Sequence, residues 1–153
     1  MSRKYRLWPI LSVAIMTFSA HAWADITEVQ QLSFGKWAVT NNKAVQSITL
    51  GTNGNYTNSP SLIMIDPPTV GIYEIDGLPP FTNFPGVQVT VTQSMTGVGG
   101  AYFNVDSFSI QIPSTDGDGK TTLTLGATAK TSGNGQGYAD ERYEGELNID
   151  LNL

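Results

Sequence analysis

The amino-acid sequence predicts an all-β chain, an antiparallel β-sandwich of about eight strands, on three observations. Apolar and polar residues alternate with a period of two in most segments beyond residue 33, which is the pattern of half-buried strands. No stretch of a dozen residues carries the 3.6-residue period of an amphipathic helix. Clusters of Gly, Pro, Asn and Asp interrupt the alternation at short intervals, as turns between neighbouring strands do. The composition agrees: 40% hydrophobic residues suffice for a core, and 153 residues suit one domain of ordinary size.

The first segment stands apart. Arg3, Lys4 and Arg6 make a charged start, Leu7 to Ala20 an apolar stretch, and Ala20-His21-Ala22 and Ala22-Trp23-Ala24 two overlapping small-x-small signals. These are the three zones of a secretory signal peptide, and Pro9 shortens the apolar run below the roughly 20 residues of a spanning helix. Residues 1–24 are therefore expected to be removed on export, by cleavage after Ala24 or after Ala22. Residues 25–153 form the single domain, in the periplasm, at the cell surface or outside the cell, with no insertion in the membrane.

Strands follow in order. Phe34 to Thr40, Ala44 to Leu50, Leu62 to Ile65 and Val70 to Ile75 are short β-prone runs separated by Thr52-Asn53-Gly54-Asn55, Asp66-Pro67-Pro68 and similar turn residues. Val87, Val89 and Val91 alternate with Gln88, Thr90 and Thr92. Ala101 to Ile112 is a longer run, with a break expected near Asp106. Lys120 to Ala129 places Leu123, Leu125, Ala127 and Ala129 in one phase, and Gly126 is where a bulge is expected. At the end Leu147, Ile149, Leu151 and Leu153 face one way and Glu146, Asn148, Asp150 and Asn152 the other. A slip of one residue would bury the polar set, so the register of this strand is strongly specified. Strands at this spacing without helices between them give the sandwich an immunoglobulin-like character. Short strands and the pairs Pro67-Pro68 and Pro79-Pro80 count against a transmembrane barrel, which needs longer lipid-facing strands.

Missing residue types exclude much chemistry. The chain has no cysteine, and its single histidine, His21, lies in the leader. Beyond residue 24 there is thus no thiol nucleophile, no Ser-His-Asp triad, no histidine-ligated metal and no imidazole base. Paired carboxylates are the remaining catalytic option. Asp76, Asp116 and Asp118 fall in turns, and Glu146 and Asp150 on the outward phase of a strand, where solvated surface is the ordinary role. A non-enzymatic protein is expected, with no cofactor and no metal. The same segment carries Lys36, Lys43, Lys120, Lys130 and Arg142 against thirteen acidic side chains, a formal charge of −8. Nucleic acid is not an expected partner of such a surface.

Short motifs carry a resemblance. Leu32-Ser33-Phe34-Gly35, Gly137-Tyr138 and Tyr143-Glu144-Gly145, the last leading into the alternating terminal strand, resemble a bacterial domain-of-unknown-function family of exported β-sandwich proteins, loosely similar to fimbrial and spore-coat-U-like pilus subunits. The likeness runs from about Glu28 to Leu153. Phe34, Gly35, Tyr138, Tyr143 and Gly145 are its residues, and core aromatics and backbone bends are the structural roles they suit. The resemblance implies a fimbria-like or cell-surface subunit assembled by strand pairing, with other copies, related subunits and a periplasmic chaperone as partners. Leu147, Ile149, Leu151 and Leu153 would then border the strand that accepts a donor; a fully paired core strand shows the same alternation. The segment Asp25 to Ser33 has no clearly apolar phase, which is unlike a donor arm. A self-complete monomeric domain is the alternative, and so is a carbohydrate-binding module using Tyr56, Tyr73, Tyr102, Phe81 and Phe84. Asp116-Gly117-Asp118-Gly119 suits a hairpin turn better than a calcium loop, whose twelfth position would here be Ala127.

Overall fold

Backbone pairing builds ten antiparallel strands in the computed structural model, which describes residues 24–152 apart from 84, 85 and 98. They are β1 (Asp25–Gln30), β2 (Lys36–Val39), β3 (Ser47–Leu50), β4 (Tyr56–Asn58), β5 (Leu62–Asp66), β6 (Gly71–Asp76), β7 (Gly86–Thr96), β8 (Tyr102–Gln111), β9 (Thr121–Thr131) and β10 (Glu144–Asn152). All eight strands expected from alternation are present. The two additions are β4, three residues long, and β1, in which Ile26 alone is half-buried. Leu153 and residues 1–23, where the signal peptide is expected, lie outside the described residues.

The sheet is organised around β9. The main order is β1-β6-β9-β8-β7-β10, with β3 also on β9 and β4 on β3. β8 pairs with β9 from Phe103↔Thr131 to Gln111↔Thr124 and so occupies one edge of it. The opposite edge is shared: β6 takes positions 121–125 and β3 takes 128–130. Gly126 sits at the handover, and a Cβ there would lie 2.2 Å from the Leu50 carbonyl oxygen. Only glycine lets the two backbones come so close. The bulge expected at Gly126 lies instead on β8, where Asp106 opposes Thr128 and Ser109 opposes Gly126, leaving Ser107 and Phe108 against Ala127 alone. Ser107 takes a left-handed φ of 51° there, close to the expected break at Asp106.

A second layer arises because β7 stays with β8 only at Met95↔Phe103 and Thr96↔Tyr102, beside their turn, and then leaves to pair with β10. In that pairing Leu147, Ile149 and Leu151 stand opposite Val91, Val89 and Val87. This puts the apolar phases of both strands on one face. That face packs over Tyr73, Ile75, Leu78, Leu123 and Leu125, the buried cluster at the centre of the sandwich. Ile75, Leu123 and Leu125 are completely buried, and each such side chain stabilises the fold by about 1.5–3 kcal/mol relative to exposure. β2 and β5 form a separate two-stranded sheet, Val39 opposite Leu62 and Lys36 opposite Asp66.

Candidate assembly groove

One end of the sandwich is filled and the other is open. Ala127, Ala129 and Thr131 on β9 are buried, yet the inward side chains of the covering layer, Val91, Met95, Leu147 and Ile149, stay half-exposed. Between them runs a groove of about 1450 Å³, larger than the roughly 300–1,000 Å³ of a small-molecule pocket.

The lining pattern distinguishes floor from walls. On β1 the residues reaching the groove are Ile26 and Glu28, and on β8 they are Phe103 and Val105. Alternate residues mean that a sheet face is turned toward the space. On β2 all of 36–39 contribute, and so does every residue of 143–149 leading into and along β10. Both phases contribute together when a strand presents its edge, with its backbone N–H and C=O groups. Among the described residues β10 pairs with β7 alone and β2 with β5 alone, so each has a second edge that no strand occupies.

The five motif residues and part of the terminal strand converge on this groove. Phe34, Gly35, Tyr138, Tyr143 and Gly145 all line it, together with Leu147 and Ile149. Leu151 is further along, packed on the central cluster. Gly35 has a φ of 76°, and a Cβ on it would meet the Asp66 carbonyl oxygen at 2.3 Å; it turns the chain against β5 and starts β2. The Phe34 carbonyl then accepts the Trp37 indole N–H. Gly145 occupies the irregular step between Glu144 and Glu146, where a Cβ would stand 2.6 Å from the Gln93 carbonyl. The Tyr138 ring lies 4.5 Å from Phe103, and Tyr143 meets the same ring edge-on at 5.2 Å. The Tyr138 hydroxyl donates to the Tyr102 carbonyl at 2.6 Å and accepts the Ser132 N–H at 2.9 Å, which pins the segment that precedes β10.

The rim is acidic. Glu28, Asp140, Glu141, Glu144 and Glu146 line the groove against Lys36 and Arg142. Lys36 pairs with Asp140 at 3.8 Å and Arg142 with Glu144 at 2.7 Å. Among the described residues Glu28, Glu141 and Glu146 have no cation within ion-pair distance. Burial, and then Glu141, push the Tyr143 hydroxyl above its ordinary pKa; burial, and then Glu28, do the same to Tyr73.

Other candidate residues are dispersed. Tyr73 is in the core, Tyr56 packs edge-on against Trp37, Tyr102 begins β8, and Phe81 is exposed beside Gly117. Phe84 lies outside the described residues. Asp116 uses one carboxylate oxygen, Oδ1, to accept the N–H groups of Asp118 at 2.9 Å and Lys120 at 2.8 Å, which closes a turn. Among the described residues no cluster of three metal-ligating side chains occurs. Sequence reasoning missed the β2 edge and the acidic rim. The adjacent apolar residues Trp37, Ala38 and Val39, which break strict alternation, were the available signal for an edge exposed to a cavity. No family model, curated protein or solved structure matches the chain.

Proposed function

We propose that this protein is an exported, non-enzymatic β-sandwich that enters a larger assembly by strand pairing, as a fimbria-like or cell-surface subunit. The observation that carries this reading is the groove between the unpaired edges of β2 and β10, floored by apolar side chains of the opposite layer. Unsatisfied main-chain groups along two edges with a half-filled core below them are what an incoming strand completes. Leu147 and Ile149 contribute to the groove while still packing on the core, so an inserted strand would extend an existing apolar layer. A chaperone strand first and a subunit strand later are the expected occupants.

β1 refines this reading. Asp25 to Gln30 pairs with β6 of its own chain, from Asp25↔Asp76 to Gln30↔Ile72. The subunit is thereby an acceptor of strands, with its own first strand used internally. The test is electrophoresis of material recovered from outside the inner membrane of the producing cell. Heat-sensitive, high-mass species on unboiled denaturing gels that collapse to one band on boiling are expected. A monomer under both conditions removes the assembly reading.

A further inference from the structure

Charge along the open edge specifies what the groove takes. The outward phase of β10 is Glu146, Asn148 and Asp150, and on the paired side these oppose Gln93, Thr90 and Gln88 of β7. None of the three carries a charge, so Glu146 and Asp150 have no cation across the strand pair. The Asn148 amide reaches Asp150 at 3.0 Å and is neutral as well. A strand added on the free edge of β10 would set its own outward side chains directly beside this row, and opposite charges there are favourable while like charges are destabilising. Glu141 and Glu28 extend the same sign along the rim.

The chain's own β1 does not fit this position. One of its phases is Ile26, Glu28 and Gln30, the other Asp25, Thr27 and Val29; either arrangement places polar residues over the apolar floor, and Glu28 or Asp25 would add a carboxylate to an acidic site. It is also already hydrogen-bonded to β6. Residues 25–153 of a second copy would bring a further formal −8.

Resting on the strand-acceptor reading above, we infer that the groove takes an extended segment of a different polypeptide, apolar at alternate positions and bearing Lys or Arg at the intervening ones. The apolar side chains enter over Phe103, Val105 and Ile48, and the cations stand beside Glu146 and Asp150. Specificity against acidic strands, including the chain's own, comes from like-charge repulsion.

Trp37 lines the groove and is the only tryptophan beyond residue 24, so its emission reports occupancy at this site. The exported protein is titrated with two nine-residue peptides of identical apolar alternation, one with Lys and one with Glu at the intervening positions, and with a peptide of residues 25–33. The Lys peptide is expected to shift Trp37 emission and to bind about tenfold more tightly than the Glu peptide, a preference that shrinks in roughly 1 M salt. The preference also falls in the Glu146→Gln and Asp150→Asn double variant, whose changes are on the exposed side of the strand. Equal binding of the Lys and Glu peptides overturns the charge selection and leaves the acceptor reading standing. No binding of either peptide removes the acceptor reading and this inference with it. Binding of the 25–33 peptide as tight as that of the Lys peptide makes a second copy the occupant and overturns the inference.

Discussion

Replacing Gly126 by alanine isolates the point where β3 and β6 exchange places along β9. The new Cβ would be 2.2 Å from the Leu50 carbonyl oxygen, where 3.4 Å is the start of ordinary contact, so that carbonyl must retreat by about 1.2 Å. The obstacle is backbone and has no rotamer to change. Its retreat pulls on Ile48↔Ala129 and Thr49↔Thr128, stretches the 3.0 Å hydroxyl contact between Thr49 and Thr128, and shifts Leu50, which is fully buried. Overpacking of this kind costs about 1–3 kcal/mol, and weakening one strand hydrogen bond adds roughly 1 kcal/mol. A loss of about 3 kcal/mol is expected. Gly54→Ala is the control: φ is 79° there and nothing lies within 4 Å of its added Cβ, so only the left-handed penalty of about 1–2 kcal/mol applies. Urea unfolding followed by Trp37 emission gives both values from the midpoints at a common slope. Should Gly126→Ala cost less than Gly54→Ala, the handover at Gly126 is refuted.

Two further variants probe the core. Leu125→Ala empties a completely buried site beneath β7 and β10 and is expected to cost about 2–5 kcal/mol in the same unfolding assay; a loss under about 1 kcal/mol would mean that the layers are not packed at Leu125. Tyr73 has its pKa raised by burial, then by Glu28, so the folded state holds the phenol proton more tightly than the unfolded chain. Its contribution is complete below the unfolded value of about 10 and is lost as pH rises through the folded value. Tyr73→Phe should flatten the fall in stability above about pH 10, and an unchanged alkaline slope in urea midpoints would contradict the burial of that phenol.

Much of the fold is legible in the residues because alternation and burial share one cause. Leu147, Ile149 and Leu151 against Glu146, Asn148 and Asp150 state both the register and the inward face of β10, and the pairing with Val91, Val89 and Val87 matches it residue by residue. β1 escapes such reading because it lies at an edge with one face open to solvent: Ile26 is its single half-buried residue, so no apolar phase is required of it. Gly126 carried a real signal whose meaning depended on a distant element. Its missing Cβ makes room for Leu50, seventy-six positions earlier, while the bulge sits on the neighbouring strand. The groove shows the same division. Phe34, Gly35, Tyr138, Tyr143 and Gly145 belong to short motifs legible in the sequence, and each lines the cavity. That β2 and β10 each keep an unpaired edge depends on topology, which no local pattern encodes.

The position of β9 in the chain sets the order in which this protein acquires structure. Strands drawn from residues 47–50, 71–76 and 102–111 all find their partner at residues 121–131. Synthesis from the N-terminus therefore completes β3, β6 and β8 before the strand that joins them. Contacts of such long sequence separation form slowly, and unpaired strand edges are vulnerable to aggregation meanwhile. The exposed run Ile63, Met64 and Ile65 on β5 adds to that hazard. For the interval between the synthesis of residue 76 and that of residue 131, these strand edges stay open, and the rate of chain elongation fixes how long they do.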